Sequence, residues 1–106
     1  MPGTAAFEVT RDRTSSRYVI EADGDHAGHI DFEERDGAVV MTHTEVDEAY
    51  RGTEAARTLA GGALADVAAR GLAVVPECPY IARYLSRNEV PGLEIRPLEV
   101  RSAEPA

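Results

Sequence analysis

The transition that decides the fold lies in residues 43–56, which run HTEVDEAYRGTEAA. A β-branched segment ends near Val46, a short polar loop carries Arg51 and Gly52, and a helix rich in small residues follows. Free amides at a helix N-terminus, together with the helix dipole, favour an anion, and a glycine lets the backbone approach a ligand closely. The pattern indicates a strand-loop-helix phosphate site of modest specificity. A plain structural turn is the alternative.

Upstream of this stretch, the sequence predicts a three-stranded antiparallel meander over residues 17–46. Polar and apolar residues alternate along it, which is typical of half-buried strands, and Asp23-Gly24 and Asp36-Gly37 are suited to tight hairpin turns. Residues 7–9 are expected to join the meander at its edge. In the last strand, strict alternation places three residues on one face (Val39, Met41 and His43) and three on the other (Val40, Thr42 and Thr44).

Downstream, the apolar period changes to three and four, which predicts a helix over residues 53–70. The short run 72–75 is expected to be a buried strand, and Pro79 is suited to the first turn of a second helix that ends near Asn88. Residues 93–106 are expected to form an edge strand or a tail. The predicted fold class is therefore α+β, with a mostly antiparallel sheet in the order β-β-β-β-α-β-α and a crossover helix after the fourth strand.

Composition limits the classes of function. The chain has 106 residues, a length expected for one domain over 1–106. The chain contains arginine but no lysine, and its net charge is −8. This negative charge counts against nucleic-acid binding. One cysteine excludes an internal disulfide and a cysteine-rich zinc site. The apolar runs are too short to span a membrane, and the beginning lacks the pattern of a signal peptide, so we expect a cytoplasmic protein with no membrane partner.

The segment from Val46 to Ala56 resembles motif A of the GNAT superfamily of acyl-CoA-dependent N-acetyltransferases. The wider pattern is similar to the minimal, YjdJ-type branch of that superfamily, and it covers about residues 17–88. Its spaced matches are His43-Thr44-Glu45-Val46, Tyr50-Arg51-Gly52, Ala69-Arg70-Gly71-Leu72 and Val75-Pro76-Glu77-Cys78-Pro79-Tyr80. The branch lacks the two helices that larger members insert after the first strand, so the resemblance implies a minimal GNAT-like fold.

The resemblance also implies a site for acetyl-CoA. The end of the fourth strand, at Glu45 and Val46, would pair with the pantetheine arm. The pyrophosphate loop of the family would correspond to six consecutive residues, namely Arg51, Gly52, Thr53, Glu54, Ala55 and Ala56. Glu54 departs from the family pattern, which usually has glycine there. A carboxylate close to a pyrophosphate would repel it, and a lost glycine would stiffen the loop, although a glutamate in a first helical turn also stabilises the helix.

Three residues are candidates for the chemistry. Cys78 precedes the second helix, where the dipole favours a thiolate, and a small buried hydrophobe is its structural alternative. Tyr84 resembles the tyrosine that protonates the leaving thiolate in larger members, with Tyr80 one turn earlier as the other possibility. His43 is a candidate general base, or an ordinary strand residue. His26 and His29 are expected to face solvent, and the three histidines show no metal-ligand spacing, so no metal site is predicted.

The function predicted from these features is acetyl-CoA-dependent transfer of an acyl group to an amine of unknown identity. The alternative is a non-catalytic acyl-CoA-binding or protein-interaction module on the same fold, which Glu54 favours. In a third possibility, Cys78 accepts the acyl group itself. We expect a monomer or a weak homodimer.

Overall fold

The computed structural model describes residues 6–97, which form six strands, two α-helices and a short 3-10 helix. In chain order these elements are β1 (Phe7–Asp12), β2 (Arg17–Ala22), β3 (Asp25–Arg35), β4 (Ala38–Val46), the 3-10 helix (Glu48–Tyr50), α1 (Ala55–Ala69), β5 (Ala73–Pro76), α2 (Pro79–Arg87) and β6 (Glu94–Ile95).

All six strands lie in one sheet in the order β1-β2-β3-β4-β5-β6. The first four are antiparallel neighbours, whereas β5 is parallel to β4 and β6 is parallel to β5. The β2–β3 and β3–β4 turns have positive φ at each central residue, Asp23-Gly24 and Asp36-Gly37, as two-residue turns of this kind require. The α+β class, the mostly antiparallel sheet and the crossover helix are as the sequence predicts.

Element boundaries differ little from the prediction. The first helix begins at Ala55 rather than residue 53, because Thr53 and Glu54 belong to the turn that leads into it. The meander extends to Asp12 at its edge, and β6 is limited to Glu94–Ile95. The rest of the expected tail, residues 98–106, lies outside the described residues.

Both helices pack on one face of the sheet, which we call the inner face. Together with the inner side chains of the strands they form one apolar cluster. Its largest fully buried members are Tyr18, Ile20, Ile30, Met41, Leu59, Leu64, Ile81, Val39, Val67 and Val74. The opposite side is the outer face. Within residues 6–97, neither helix is long and apolar enough to cross a membrane.

A polar contact fixes α1 on the sheet. The Tyr18 hydroxyl of β2 donates a hydrogen bond to Asp66 of α1 over 2.6 Å, and Arg70 contacts Glu34 of β3 over 2.8 Å. Burial and the neighbouring Asp66 carboxylate raise the pKa of Tyr18 above its ordinary value, so the hydroxyl keeps its proton and remains a donor. The C-terminal half of α1 is thereby joined to β2 and β3.

A β-bulge interrupts β4. Asp31 of β3 pairs with His43 and Phe32 pairs with Met41, so Thr42 is an extra residue on β4. Because side chains alternate between faces with a period of two, one extra residue exchanges the faces of everything that follows. The bulge therefore decides which side chains near the end of β4 face the helices.

The prediction that His43 shares a face with Val39 and Met41 is wrong for this reason. Thr44 pairs with the fully buried Ile30 and lies on the inner face, whereas His43 lies on the outer face. Strict alternation cannot reveal a bulge, since the extra residue is identified only by the pairing with the neighbouring strand.

Candidate functional site

The loop before α1 exposes the first turn of that helix. Gly52 has a φ of +83°, a left-handed conformation that favours glycine, and the residues on either side of it are exposed. The Thr53 hydroxyl accepts a hydrogen bond from the Ala55 N–H over 3.1 Å. The next N–H groups, those of Ala56 and Arg57, have no acceptor within the helix. These amides, at the positive end of the dipole, can bind an anion.

Glu54 is the residue that precedes α1, and its backbone has a φ of −85°, which any L-residue adopts. The position therefore does not need glycine, and the expected stiffening of the loop carries no strain. The Glu54 side chain is 71% exposed and forms an ion pair with Arg57 over 3.2 Å. The departure from the family pattern is thus a matter of charge: a carboxylate at the helix start partly neutralises Arg57.

The strand β4 has an open edge beyond the bulge. The strand β5 pairs with β4 only over 38–41 and ends at Pro76, after which the Cys78 N–H donates to the Met41 carbonyl over 2.9 Å. Among residues 6–97, no strand lies beside the rest of β4 on that side. The sheet therefore opens between the last residues of β4 and the start of α2.

Peptide groups of Val46 and Thr44 point into this opening. The Asp47 N–H donates to the Ala27 carbonyl of β3 over 2.8 Å, and peptide groups alternate between the two edges of a strand. Those of Val46 and Thr44 accordingly lie on the edge away from β3. The Nε of Arg51 donates to the Val46 carbonyl over 3.3 Å, which is consistent with that direction.

Cys78 lies on the other side of the opening, at the residue that precedes α2. Its side chain is buried, with 4% of the residue exposed, and its Sγ donates a hydrogen bond to Thr44 Oγ1 over 3.2 Å. Thr44 is a site residue that the sequence reasoning missed. The bulge that turns Thr44 inward is what brings the hydroxyl to the thiol.

The two tyrosines of α2 are both half-buried but lie at different places. A Cβ placed on Gly61 of α1 would be 3.0 Å from the Tyr84 hydroxyl, so that hydroxyl packs against α1. Tyr84 is six residues beyond Cys78, about 9 Å along a helix axis. Tyr80 is in the first turn, and burial raises the pKa of Tyr80, with a smaller contribution from Tyr84. Tyr80 is therefore protonated at neutral pH.

The outer face carries a row of three histidines, His26, His29 and His43. Their ring centroids are 5.7 Å apart between His26 and His29 and 6.5 Å apart between His29 and His43. His26 contacts Asp47 over 3.2 Å and His43 contacts Glu45 over 3.5 Å. Within the part of the chain that the structure describes, no group of three or more His, Cys, Asp or Glu side chains is arranged to hold a metal ion.

His29 is not solvent-facing as expected, since only 12% of its side chain is exposed. Ile20 pairs with Gly28 and Glu21 with His26, so Ala27 is an extra residue on β3. Because of this second bulge, His26 and His29 lie on the same face, although strict alternation would place them on opposite faces. Among the described residues, the buried Nδ1 of His29 has no hydrogen-bond partner.

The charge of His29 follows from its surroundings. Burial lowers the pKa of His29 below its ordinary 6.5, and Arg17 and then His26 lower it further, while Asp31 and Glu45 oppose the shift. Burial dominates, so His29 is neutral at pH 7.

The structure thus separates the predicted site residues into two groups. Val46, Arg51 and the following loop lie at the opening with Cys78. His43 and Glu45 lie on the outer face. The Tyr84 hydroxyl packs against Gly61 of α1.

The sheet opens between two parallel strands, and an exposed helix N-terminus follows the first of them. Together with a family model that matches most of the chain, this arrangement identifies an acetyltransferase-type domain. The chain belongs to the family of GCN5-related N-acetyl-transferases, whose model matches residues 17–91. This range agrees with the extent of the resemblance in the sequence.

Curated relatives support the same assignment. The chain is similar to Protein NATD1 of Gallus gallus, with 34% identity over 87 residues that cover 80% of this chain and 79% of the relative. The proteins of the same name from Danio rerio and Homo sapiens are also 34% identical over 87 residues, which cover 80% of this chain and 79% and 77% of the relatives.

Proposed function

We propose that this protein is an N-acetyltransferase that uses acetyl-CoA and transfers the acyl group to an amine. The observation that carries the proposal is the open edge of β4, where the peptide groups of Thr44 and Val46 lie beside Cys78 and the N-terminus of α1. An elongated amide-containing ligand can pair with such an edge, as a strand does.

Acetyl-CoA fits the groups that surround this opening. Its pantetheine arm carries amides that match the peptide groups of Val46 and Thr44, and its pyrophosphate matches the free N–H groups at the start of α1. Arg51 supplies a cation at the same end. Because Arg51 donates to the Val46 carbonyl in the structure described here, pairing at Val46 requires that bond to be exchanged for a contact with the phosphates.

The acyl transfer needs a base and an acid. The amine nitrogen forms a bond to the thioester carbonyl carbon, the carbon–sulfur bond breaks, and CoA leaves as a thiolate. His43, 59% exposed on the outer face, accepts the proton that the amine gives up. A tyrosine of α2 donates a proton to the thiolate. Tyr80 is two residues beyond Cys78 in the chain and Tyr84 is six, and the raised pKa of Tyr80 keeps its hydroxyl protonated.

These roles are tested by turnover with matched variants. CoA release is measured with acetyl-CoA and primary amines of several kinds, an alkylamine, a polyamine and a lysine peptide. We expect His43→Gln to lower kcat about 100-fold, the lower range for loss of a general base. His26→Gln is the control, because it removes an imidazole from the same face and leaves His43 in place. Equal loss in both variants, or in neither, would remove His43 from the reaction.

Tyr80→Phe and Tyr84→Phe identify the acid by the same assay. The variant that loses kcat without a change in KM for acetyl-CoA has lost the proton donor, because that interaction is made only as the thiolate leaves. We expect that loss in Tyr80→Phe. A loss confined to Tyr84→Phe would assign the role to the residue that the family resemblance suggests.

The role of Cys78 is tested by mass spectrometry. A direct attack by the amine predicts no acyl adduct after incubation with acetyl-CoA and full turnover in Cys78→Ser. The thiol is buried and bonded to Thr44, so we also expect slow alkylation by iodoacetamide. A cysteine that accepts the acyl group predicts the reverse, an adduct that disappears in Cys78→Ser together with turnover.

A non-catalytic acyl-CoA-binding or interaction module is the second candidate, and Glu54 favours it. Its carboxylate lies at the helix start and pairs with Arg57, one of the cations available to a pyrophosphate. Saturable acetyl-CoA binding with no CoA release for any amine class would support this candidate.

A further inference from the structure

The outer face contains a cavity beside the opening of the sheet. Its volume is about 320 Å³, at the small end of the range for small-molecule sites. The floor is formed by β4 and β5 through Ala38, Val40 and Val75. The first two are 3% and 5% exposed, although no helix covers this face among residues 6–97. The cavity is thus separate from the groups proposed to bind acetyl-CoA.

The two ends of the cavity are lined by different charged residues. At the hairpin end, two arginines and one aspartate line the wall, namely Arg35, Arg96 and Asp36, and Arg35 also contacts Glu33 over 3.3 Å in an exposed ion pair. Arg96 is held there, because its Nη1 donates to the Asp36 carbonyl over 2.9 Å and its Nε contacts Glu94 over 3.4 Å. At the other end lies Glu77, the residue that follows β5.

The direction of β4 and β5 shows which end of the cavity lies nearer to the proposed site of acyl transfer. Because β4 and β5 are parallel and Ala38 pairs with Ala73, the floor extends from the arginines toward Glu77. Four residues of strand separate the level of Ala73 from that of Glu77, about 13 Å. Glu77 directly precedes Cys78, and His43 lies on the same face further along β4. The acidic end of the cavity is therefore the end at the opening.

We propose that this cavity binds the acceptor, and that the acceptor is a small amino carboxylate: its carboxylate binds Arg96 and Arg35, a short apolar chain lies on Val40 and Val75, and its amine lies at Glu77. This inference rests on the proposed acyl transfer and names its substrate class. Guanidinium groups bind carboxylates with geometric specificity, and a carboxylate attracts an ammonium group to the end where the proton is to be removed.

Binding of matched probes to the full chain tests the inference without turnover. The probes are 5-aminopentanoate, pentylamine, which lacks the carboxylate, and pentanoate, which lacks the amine. Dissociation constants are obtained from amide chemical shifts in the absence of acetyl-CoA. We expect 5-aminopentanoate to shift residues of the floor, and each truncated probe to bind about tenfold more weakly, since one charged contact is lost.

Variants assign each end. Arg96→Gln should abolish the preference for 5-aminopentanoate over pentylamine, and Glu77→Gln should abolish the preference over pentanoate. Arg96→Lys keeps the charge and should retain part of the first preference. Arg87→Gln and Glu89→Gln, both exposed near the end of α2, are controls that should leave all three affinities unchanged. Thermal unfolding checks that each variant is folded.

Failure of this inference can be distinguished from failure of the proposed transferase function. Equal affinity for all three probes, shifts outside the cavity, or no binding at high millimolar probe would overturn the inference. If acetyl-CoA still binds at the β4 edge in that case, the proposed transferase function stands with another acceptor. If the probes bind as expected but acetyl-CoA does not, the proposed function fails and the cavity remains a binding site for amino carboxylates.

Discussion

At the scale of single residues, Glu54 separates two physical effects that the sequence leaves combined. The backbone of Glu54 has a conformation that any L-residue adopts, so the loop does not need a glycine there. The effect that remains is the negative charge of its exposed carboxylate. We therefore expect the charge, and not the size, of this residue to limit the affinity for acetyl-CoA.

We expect Glu54→Gln to bind acetyl-CoA two- to fivefold more tightly, a gain of about 0.5–1 kcal/mol, the usual effect of an exposed charge at a helix terminus. The gain should shrink at high salt, because exposed charges are screened. Isothermal titration at two salt concentrations measures both. Glu89→Gln serves as the control, and equal or weaker binding in Glu54→Gln would show that the carboxylate stabilises the loop that binds the ligand.

His29 predicts a pH dependence of stability. Its pKa is lower in the folded protein than in the unfolded chain, so the unfolded chain binds more protons as the pH falls below about 6.5. The stability associated with the neutral imidazole is therefore fully present above that pH and is lost as the pH falls through the folded pKa.

Urea unfolding of the wild type and His29→Gln at several pH values between 7.5 and 4.5 measures this effect. The free energy of unfolding of the wild type should fall relative to that of His29→Gln as the medium becomes more acidic. His26→Gln, whose imidazole is exposed, is the control. A constant difference between wild type and His29→Gln would contradict the assigned burial of His29.

At the scale of elements, alternation and turn chemistry correctly predict β2, β3 and β4 and the two turns that join them. The period of three and four likewise predicts α1 within two residues of its start. Local sequence contains these signals because they depend on burial of one face. The two bulges, at Ala27 and Thr42, depend on pairing between strands, and no local signal predicts them.

The bulges explain why the positions of Thr44 and of the three histidines could not be predicted from the sequence. They turn Thr44 toward Cys78 and collect His26, His29 and His43 on the outer face. The loop that follows β4 was predictable, because a glycine between a strand and a helix is a signal within consecutive residues.

A close approach of β3 and β4 gives a prediction at this scale. A Cβ on Gly28 would lie 2.7 Å from the Glu45 carbonyl oxygen and 3.2 Å from Val46 Cα, so Gly28→Ala must displace the open end of β4. We expect a loss of about 1–3 kcal/mol in the free energy of unfolding, as for overpacking, and weaker acetyl-CoA binding.

Gly24→Ala is the matched control for this effect. It introduces strain at a positive φ in the β2–β3 turn, where a Cβ meets nothing within 4 Å, so it costs stability without moving β4. Acetyl-CoA affinity that changes equally in Gly28→Ala and Gly24→Ala would show that stability, and not the geometry of the β4 edge, controls binding.

At the scale of the whole molecule, the two proposed ligand sites lie at different places on the sheet. The opening and the start of α1 provide hydrogen bonds and a positive dipole, which suit a phosphorylated thioester. The outer face provides imidazoles and a cavity with charged ends, which suit an amine that carries a carboxylate.

A titration of the isotope-labelled full chain with acetyl-CoA, followed by amide chemical shifts, tests the central claim most directly. We expect saturable shifts concentrated in residues 44–57 and 76–84, with the β1–β2 turn unchanged. The absence of saturable shifts at millimolar acetyl-CoA, or shifts centred away from the end of β4, would contradict the claim that the open edge of β4 is a coenzyme site.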